Sequence, residues 1–130
     1  MEWNVGNEFS KSFTITEDMV VGFAQVSKDK NPVHLDEEYA NKTIFKKRIA
    51  HGMLLGGLIS SILGNDFPGN GTIYLNQNMS FKKPVYLEDK VTIVIKIITV
   101  DSKGWLSLET NCYIEDNIVI EGKALVIPPK

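Results

Sequence analysis

The run Met53-Leu54-Leu55-Gly56-Gly57-Leu58-Ile59-Ser60-Ser61-Ile62-Leu63 constrains this chain more than any other stretch. At helical spacing its apolar residues fall on nearly every side. A helix that is apolar all round is buried all round. A membrane span needs about 20 apolar residues, so this run is too short and too interrupted to cross a bilayer. The chain must therefore wrap its own helix. Gly56 and Gly57 each cost about 1 kcal/mol of helix propensity, which points to close approach by another backbone. Gly64 is expected to end the helix as a C′ residue.

The wrapping comes from strands. Phe9 to Ile15 alternates apolar and polar residues, as a half-buried strand does. Three or four more strands are expected, at about Thr72–Phe81, Lys90–Val100, Trp105–Ile114 and Ile118–Ile127. Hairpin connections are expected at Asp101-Ser102-Lys103-Gly104 and Glu115-Asp116-Asn117. Val91, Ile93, Ile95 and Ile97 face one way and give a fully apolar side. Between the first strand and the central helix, Thr16 is a candidate N-cap for a helix over Glu17–Ser27. A short helix is expected at Glu37–Asn41. The pattern predicts an α+β domain, an antiparallel sheet curled around one buried helix. At 130 residues, the chain 1–130 is expected to be one domain.

Charge narrows the partners. The net charge is −2, too weak to draw the chain to nucleic acid or to an anionic membrane. The N-terminus lacks a basic region followed by an apolar run, so no signal peptide is expected. The single cysteine, Cys112, sits in a strand and reads as a small buried hydrophobe. One cysteine makes no internal disulfide, and a cytoplasmic protein is expected.

Chemistry concentrates in Ser27-Lys28-Asp29-Lys30-Asn31-Pro32-Val33-His34-Leu35-Asp36. In an unbroken helix Asp29 and His34 would stand about 140° apart. The Asn31-Pro32 break ends the helix between them and allows them to converge. An imidazole and a carboxylate on one water can polarise it and move its protons near neutral pH. The bland reading is a helix cap and a locally bonded histidine. A second feature is Arg48-Ile49-Ala50-His51-Gly52-Met53. It puts a glycine at the mouth of the buried helix, where free N–H groups carry partial positive charge. Such a donor can hold an oxygen that becomes negative during reaction. The bland reading is a helix start that needs glycine for packing.

Metal ligation by His34, Asp36 and His51 matches no standard spacing, and no metal is expected. Phosphate-loop and nucleophile-elbow motifs are absent from the sequence. Lys46-Lys47-Arg48 reads as a solvated basic face, or as a contact for the phosphates of a nucleotide-bearing substrate.

Taken together, Asp29, Asn31-Pro32 and His34, followed by Ile49-Ala50-His51-Gly52-Met53, resemble the MaoC-like dehydratases. Within that family the short (R)-specific enoyl-CoA hydratases are most similar. Phe23-Ala24, Gly71-Thr72-Ile73-Tyr74-Leu75, Gln77, Phe81 and Pro84-Val85 extend the similarity from about Val5 to Val126. The resemblance implies a hot-dog fold, an antiparallel sheet around a long central helix. It implies a homodimer with acyl-CoA bound near the subunit interface. It places the catalytic pair on Asp29 and His34, the oxyanion-binding N–H on Gly52, and substrate contacts on Asn31, His51 and Ser60, with Ser61 the alternative to Ser60. The implied reaction is reversible syn hydration of a trans-2-enoyl-CoA to a (3R)-hydroxyacyl-CoA, on short to medium chains. No cofactor is implied beyond CoA as part of the substrate. The family often carries Gly-Asp where this chain has Glu88-Asp89.

Three other readings share the fold. A thioesterase would release free thiol. A scaffold subunit would bind acyl-CoA without turnover and would not need both Asp29 and His34. A dehydratase acting on carrier-protein-bound acyl groups would be favoured by a strong basic docking patch, at which only Lys46-Lys47-Arg48 hints.

Overall fold

The sheet is built on the alternation seen in the sequence. A computed structural model of the chain describes residues 2–130. The elements run β1 (Glu8–Thr14), α1 (Glu17–Ser27), α2 (Pro32–Leu35), α3 (Glu37–Asn41), α4 (Gly52–Asn65), β2 (Ile73–Phe81), β3 (Lys90–Val100), β4 (Leu106–Ile114) and β5 (Asn117–Ile127). The strands form one antiparallel sheet in the order β1-β3-β4-β5-β2. Val91, Ile93, Ile95 and Ile97 are fully buried, because their common face of β3 meets α4. This is the hot-dog arrangement expected from the sequence.

α4 is the core of that wrap. Leu55, Ile59 and Ile62 are fully buried, and each such side chain contributes about 1.5–3 kcal/mol. The helix is not covered on every side, however. Met53, Gly57 and Ser60 are exposed, and their spacing at i, i+4 and i+7 makes one open stripe. Gly64 lies inside the helix, which runs to Asn65. The amide of Asp66 donates to the Ile62 carbonyl, so the last turn continues past the glycine expected to stop it.

Local chemistry sets the other boundaries. Thr16 caps α1 by accepting from the Met19 amide at 3.2 Å. Lys28 then takes a left-handed conformation, φ 68°, and turns the chain away. Another left-handed residue, Glu88 with φ 73°, stands before β3. Its amide donates to the Ile15 carbonyl at 2.6 Å, and the Ile15 amide donates to the Asp89 carbonyl at 2.9 Å. This turn ties the start of β3 to the entry of α1. Gly122 lies where β5 runs between β4 and β2, and a Cβ there would stand 2.6 Å from the Thr110 hydroxyl. No helix among the described residues is long and apolar enough to cross a membrane.

Candidate active site

A ladder of side-chain-to-backbone bonds shapes the loop after α1. Ser27 Oγ accepts from the Asp29 amide at 3.1 Å. Asp29 Oδ1 accepts from the Asn31 amide at 3.2 Å. Asn31 Oδ1 accepts from the Val33 amide at 3.3 Å and caps α2. Pro32 opens α2 with a preset φ. One turn of helix then carries His34 back over Asp29.

His34 is buried, and its Nδ1 lies 2.7 Å from the Ile49 carbonyl. A carbonyl can only accept, so Nδ1 carries the proton and Nε2 keeps its lone pair. Burial holds the His34 pKa below the ordinary imidazole value; the Ile49 hydrogen bond opposes this, the His51 ring reinforces it, and the Asp29 charge opposes it. Arg48 fixes the helix end. Its Nε donates to the His34 carbonyl at 2.7 Å, and its two terminal nitrogens grip the Glu17 carboxylate at 2.6 and 3.0 Å. The same guanidinium holds the Glu17 carboxyl below its usual pKa.

His51 sits at the N-cap of α4 and is 2% exposed. Its Nε2 donates to the Asp29 carbonyl at 3.0 Å. Its ring stacks on His34, with centroids 3.8 Å apart and planes 25° apart, and leans on Phe23 at 4.9 Å. Its Nδ1 is buried without a hydrogen-bond partner among the described residues. Polar atoms of Asp29, His34 and His51 lie within 4.8 Å of one another. These are metal-ligand types, and their spacing along the chain matches no standard zinc pattern. Asp36, the other ligand considered from the sequence, accepts from the Tyr39 amide and caps α3.

The three residues stand at a cavity of about 400 Å³. Leu55, Phe81, Val85 and Ile120 supply apolar wall, and Gly52 opens α4 into it. No backbone or side-chain acceptor takes the Gly52 N–H among the described residues. A Cβ at Gly52 would stand 2.3 Å from the Phe81 ring, so the ring covers this stretch of backbone only because residue 52 is glycine. Lys82 and Lys83 follow Phe81 at the cavity rim.

The sequence profile of the MaoC-like domain matches residues 4–121. The chain belongs to the MaoC-like domain family. It is 44% identical to the (R)-specific enoyl-CoA hydratase of Rhodospirillum rubrum over 125 residues, 95% of this chain and 87% of that protein. Its fold superposes on the (R)-hydratase of A. caviae involved in PHA biosynthesis with a TM-score of 0.94, at 36% identity and 98% of each chain. The R-hydratase PhaJ1 of Pseudomonas aeruginosa gives a TM-score of 0.95 at 39% identity, covering 99% of this chain and 84% of that one.

This MaoC-like domain gathers Asp29, His34, His51 and Gly52 at one cavity. It leaves two expected site residues off the cavity wall. Asn31 is an exposed cap that shapes the loop. Ser60 lies on the open stripe of α4, while Ser61 turns its hydroxyl to the Leu58 carbonyl at 2.7 Å. The basic run 46–48 is also divided: Arg48 is committed to Glu17 and the His34 carbonyl, and Lys47 lies over the Tyr86 ring. Among the described residues, the rim cations without an acidic partner are Lys82 and Lys83, which the sequence pattern does not single out. Phe81 ends the strand expected over Thr72–Phe81 and carries part of the family similarity, and its place against Gly52 needs the fold.

Proposed function

We propose that this chain is a hydro-lyase that reversibly adds water to a trans-2-enoyl-CoA and forms a (3R)-hydroxyacyl-CoA on short to medium chains. The observation that carries this reading is the meeting of the Asp29 carboxylate, the His34 imidazole and the open end of α4 at one largely apolar cavity. The relatives named above, all called (R)-hydratases, support it. A separation of up to 4.8 Å suits one water bonded to both partners, since two hydrogen bonds of about 2.8 Å at a tetrahedral angle span roughly 4.6 Å.

In this mechanism the thioester carbonyl accepts the Gly52 N–H. As the water oxygen bonds to C3, the C2=C3 electrons move into an enolate, which that N–H and the α4 dipole stabilise. Losing one such donor typically costs about 3 kcal/mol of barrier. Asp29 and His34 act as one acid–base unit. They take one proton from the water and return one to C2 on the same face, which makes the addition syn. His34 Nε2 is the ring nitrogen available for this exchange, since Nδ1 is held by Ile49. CoA takes part as the carrier of the substrate, and no further cofactor is required by these steps.

Lys82 and Lys83 are proposed to meet the CoA phosphates. Neither has an acidic partner within 4.0 Å among the described residues. A homodimer is proposed as well. β2 is an edge strand, and Ile73, Leu75 and Phe81 on it are 42% to 55% exposed, beside Met53 at 57%. An edge with this much apolar surface calls for a cover. Residues 1–130 are proposed to act as one MaoC-like unit in the cytoplasm, where the unpaired Cys112 would stay reduced.

The test mixes the purified protein with crotonyl-CoA and follows loss of the conjugated enoyl-thioester absorbance, with Asp29→Asn and His34→Ala alongside. Rapid loss by the parent, near-complete failure of both variants, no free thiol and a (3R) product are expected. No loss with crotonyl-CoA or with longer enoyl-CoAs would overturn the reading, and release of free thiol would make the chain a thioesterase.

A further inference from the structure

His51 touches all three parts of the proposed machinery. Its Nε2 donates to the main-chain carbonyl of Asp29 at 3.0 Å. Its ring lies face to face with His34 at 3.8 Å. Its own carbonyl begins α4, and the peptide that follows it carries the Gly52 N–H. The other ring nitrogen, Nδ1, is buried with no hydrogen-bond partner among the described residues. A buried polar atom without a partner destabilises the fold. For packing alone, a phenyl ring between Phe23 and His34 would serve better, because it carries no orphaned nitrogen. A nitrogen-bearing ring at this place is therefore explained by its other edge, the one that holds Asp29.

We propose that His51 is a positioning residue for the Asp29–His34 pair: its Nε2–H anchors the Asp29 main chain and its ring face fixes the plane of the His34 imidazole. This rests on the hydratase reading of that pair and replaces the substrate contact expected for His51 from the sequence. Asp29 is exposed, and its loop is otherwise held by local bonds along 27–33 and, at its far end, by the Ile49 amide donating to the Val33 carbonyl at 3.3 Å. The His51 bond is the long-range tie on Asp29 itself, spanning 22 residues. Without it the Asp29 carboxylate drifts from the water it shares with His34, and a misplacement of about 1 Å can cost a hundredfold in rate. Substrate binding to the apolar wall and the lysine rim is left intact.

The experiment compares His51→Phe and His51→Gln with the parent for kcat, KM and melting temperature on crotonyl-CoA. Phenylalanine keeps the ring face and removes the donor; glutamine can return an N–H to the Asp29 carbonyl without the ring. Expected for H51F are a kcat about a hundredfold lower, a KM within about threefold and a melting temperature within about 4 °C of the parent. H51Q is expected to keep kcat within about tenfold of the parent. A kcat for H51F near that of the parent overturns the proposal. So does a raised KM with kcat intact, which would make His51 a substrate contact, and so does equal impairment of both variants. Asp29→Asn and His34→Ala in the same assay separate the two claims, since their retained activity would overturn the hydratase pair itself. A readout on the parent stands even if a variant does not fold. The chain has 2 histidines, so long-range nitrogen NMR resolves two imidazoles. Protonation at His51 Nε2 and His34 Nδ1 is expected, and a His51 ring protonated at Nδ1 alone overturns the anchoring bond.

Discussion

His34 and His51 lie stacked at 3.8 Å and donate to two different segments, His34 Nδ1 to the Ile49 carbonyl and His51 Nε2 to the Asp29 carbonyl. Each ring's hydrogen bond ends on a segment distant in sequence, so the stack joins the loop after α1, the turn of α2 and the mouth of α4.

Acid should silence the enzyme through His34 before it unfolds the chain. The folded pKa of His34 lies below its ordinary 6.5, so kcat/KM is expected to hold down past pH 6.5 and fall only below it. The linked effect on stability has a fixed sign. As pH falls, the unfolded chain binds the proton first, near 6.5. The contribution of His34 is therefore full above that pH and is lost as pH falls through it to the lower folded pKa. Urea unfolding of the parent and His34→Gln at pH 7.5 and pH 5 should show the parent losing more. An acid limb centred at or above 6.5 would contradict the depressed pKa.

Gly52→Ala tests the close approach of Phe81. The new methyl would stand 2.3 Å from the ring, and Phe81, 55% exposed, can swing outward. Stability should change by less than about 1 kcal/mol, since alanine also favours the helix. The cavity wall and the space at the N–H change more, and kcat should fall by about 10- to 100-fold. Thermal melts and initial rates on one preparation separate the two effects.

Charge reversal at Lys82 and Lys83 should act on binding alone. The double change to glutamate is expected to raise KM for crotonyl-CoA about tenfold, as two exposed charges worth up to about 1 kcal/mol each would. KM for crotonyl-pantetheine, which lacks the phosphates, should not move. Equal effects on both substrates would remove the lysines from phosphate recognition.

Glu88→Gly should stabilise the fold by about 0.5–1 kcal/mol. Glu88 sits at φ 73°, where a side chain is strained and glycine is not. The gain is limited by the greater freedom of glycine in the unfolded chain. Chemical denaturation reads the difference, and activity should be unchanged because this turn lies outside the cavity lining.

Much of this was legible in the sequence because period and punctuation agree. Val91 to Ile97 alternate and pack against α4 as their period requires. Thr16 caps α1 where the first apolar repeat begins. α1 ends before Asp29 at left-handed Lys28, and Asn31-Pro32 opens the short helix that brings His34 back to Asp29. Asn31-Pro32 thus starts a helix where the sequence pattern suggests only a break. What escaped depends on contacts distant in sequence. The four residues of α2 are too few for a period. Arg48 looks like any cation in a basic run until Glu17, 31 positions earlier, is seen to receive it. Gly64 fits the pattern of a helix stop, but α4 runs through it to Asn65. Met53, Gly57 and Ser60 form an open stripe because coverage belongs to tertiary packing and not to composition.

Ile49 shows how such a site can change its diet without changing its chemistry. Its carbonyl dictates which nitrogen of His34 is protonated, and a carbonyl is common to every amino acid. Its side chain belongs to the cavity wall. Replacing that side chain redraws the space an acyl chain would fill and leaves the proton where it was. Fit and reactivity are thus separate dials on one residue, and drift at position 49 can adjust the first while the second stays set.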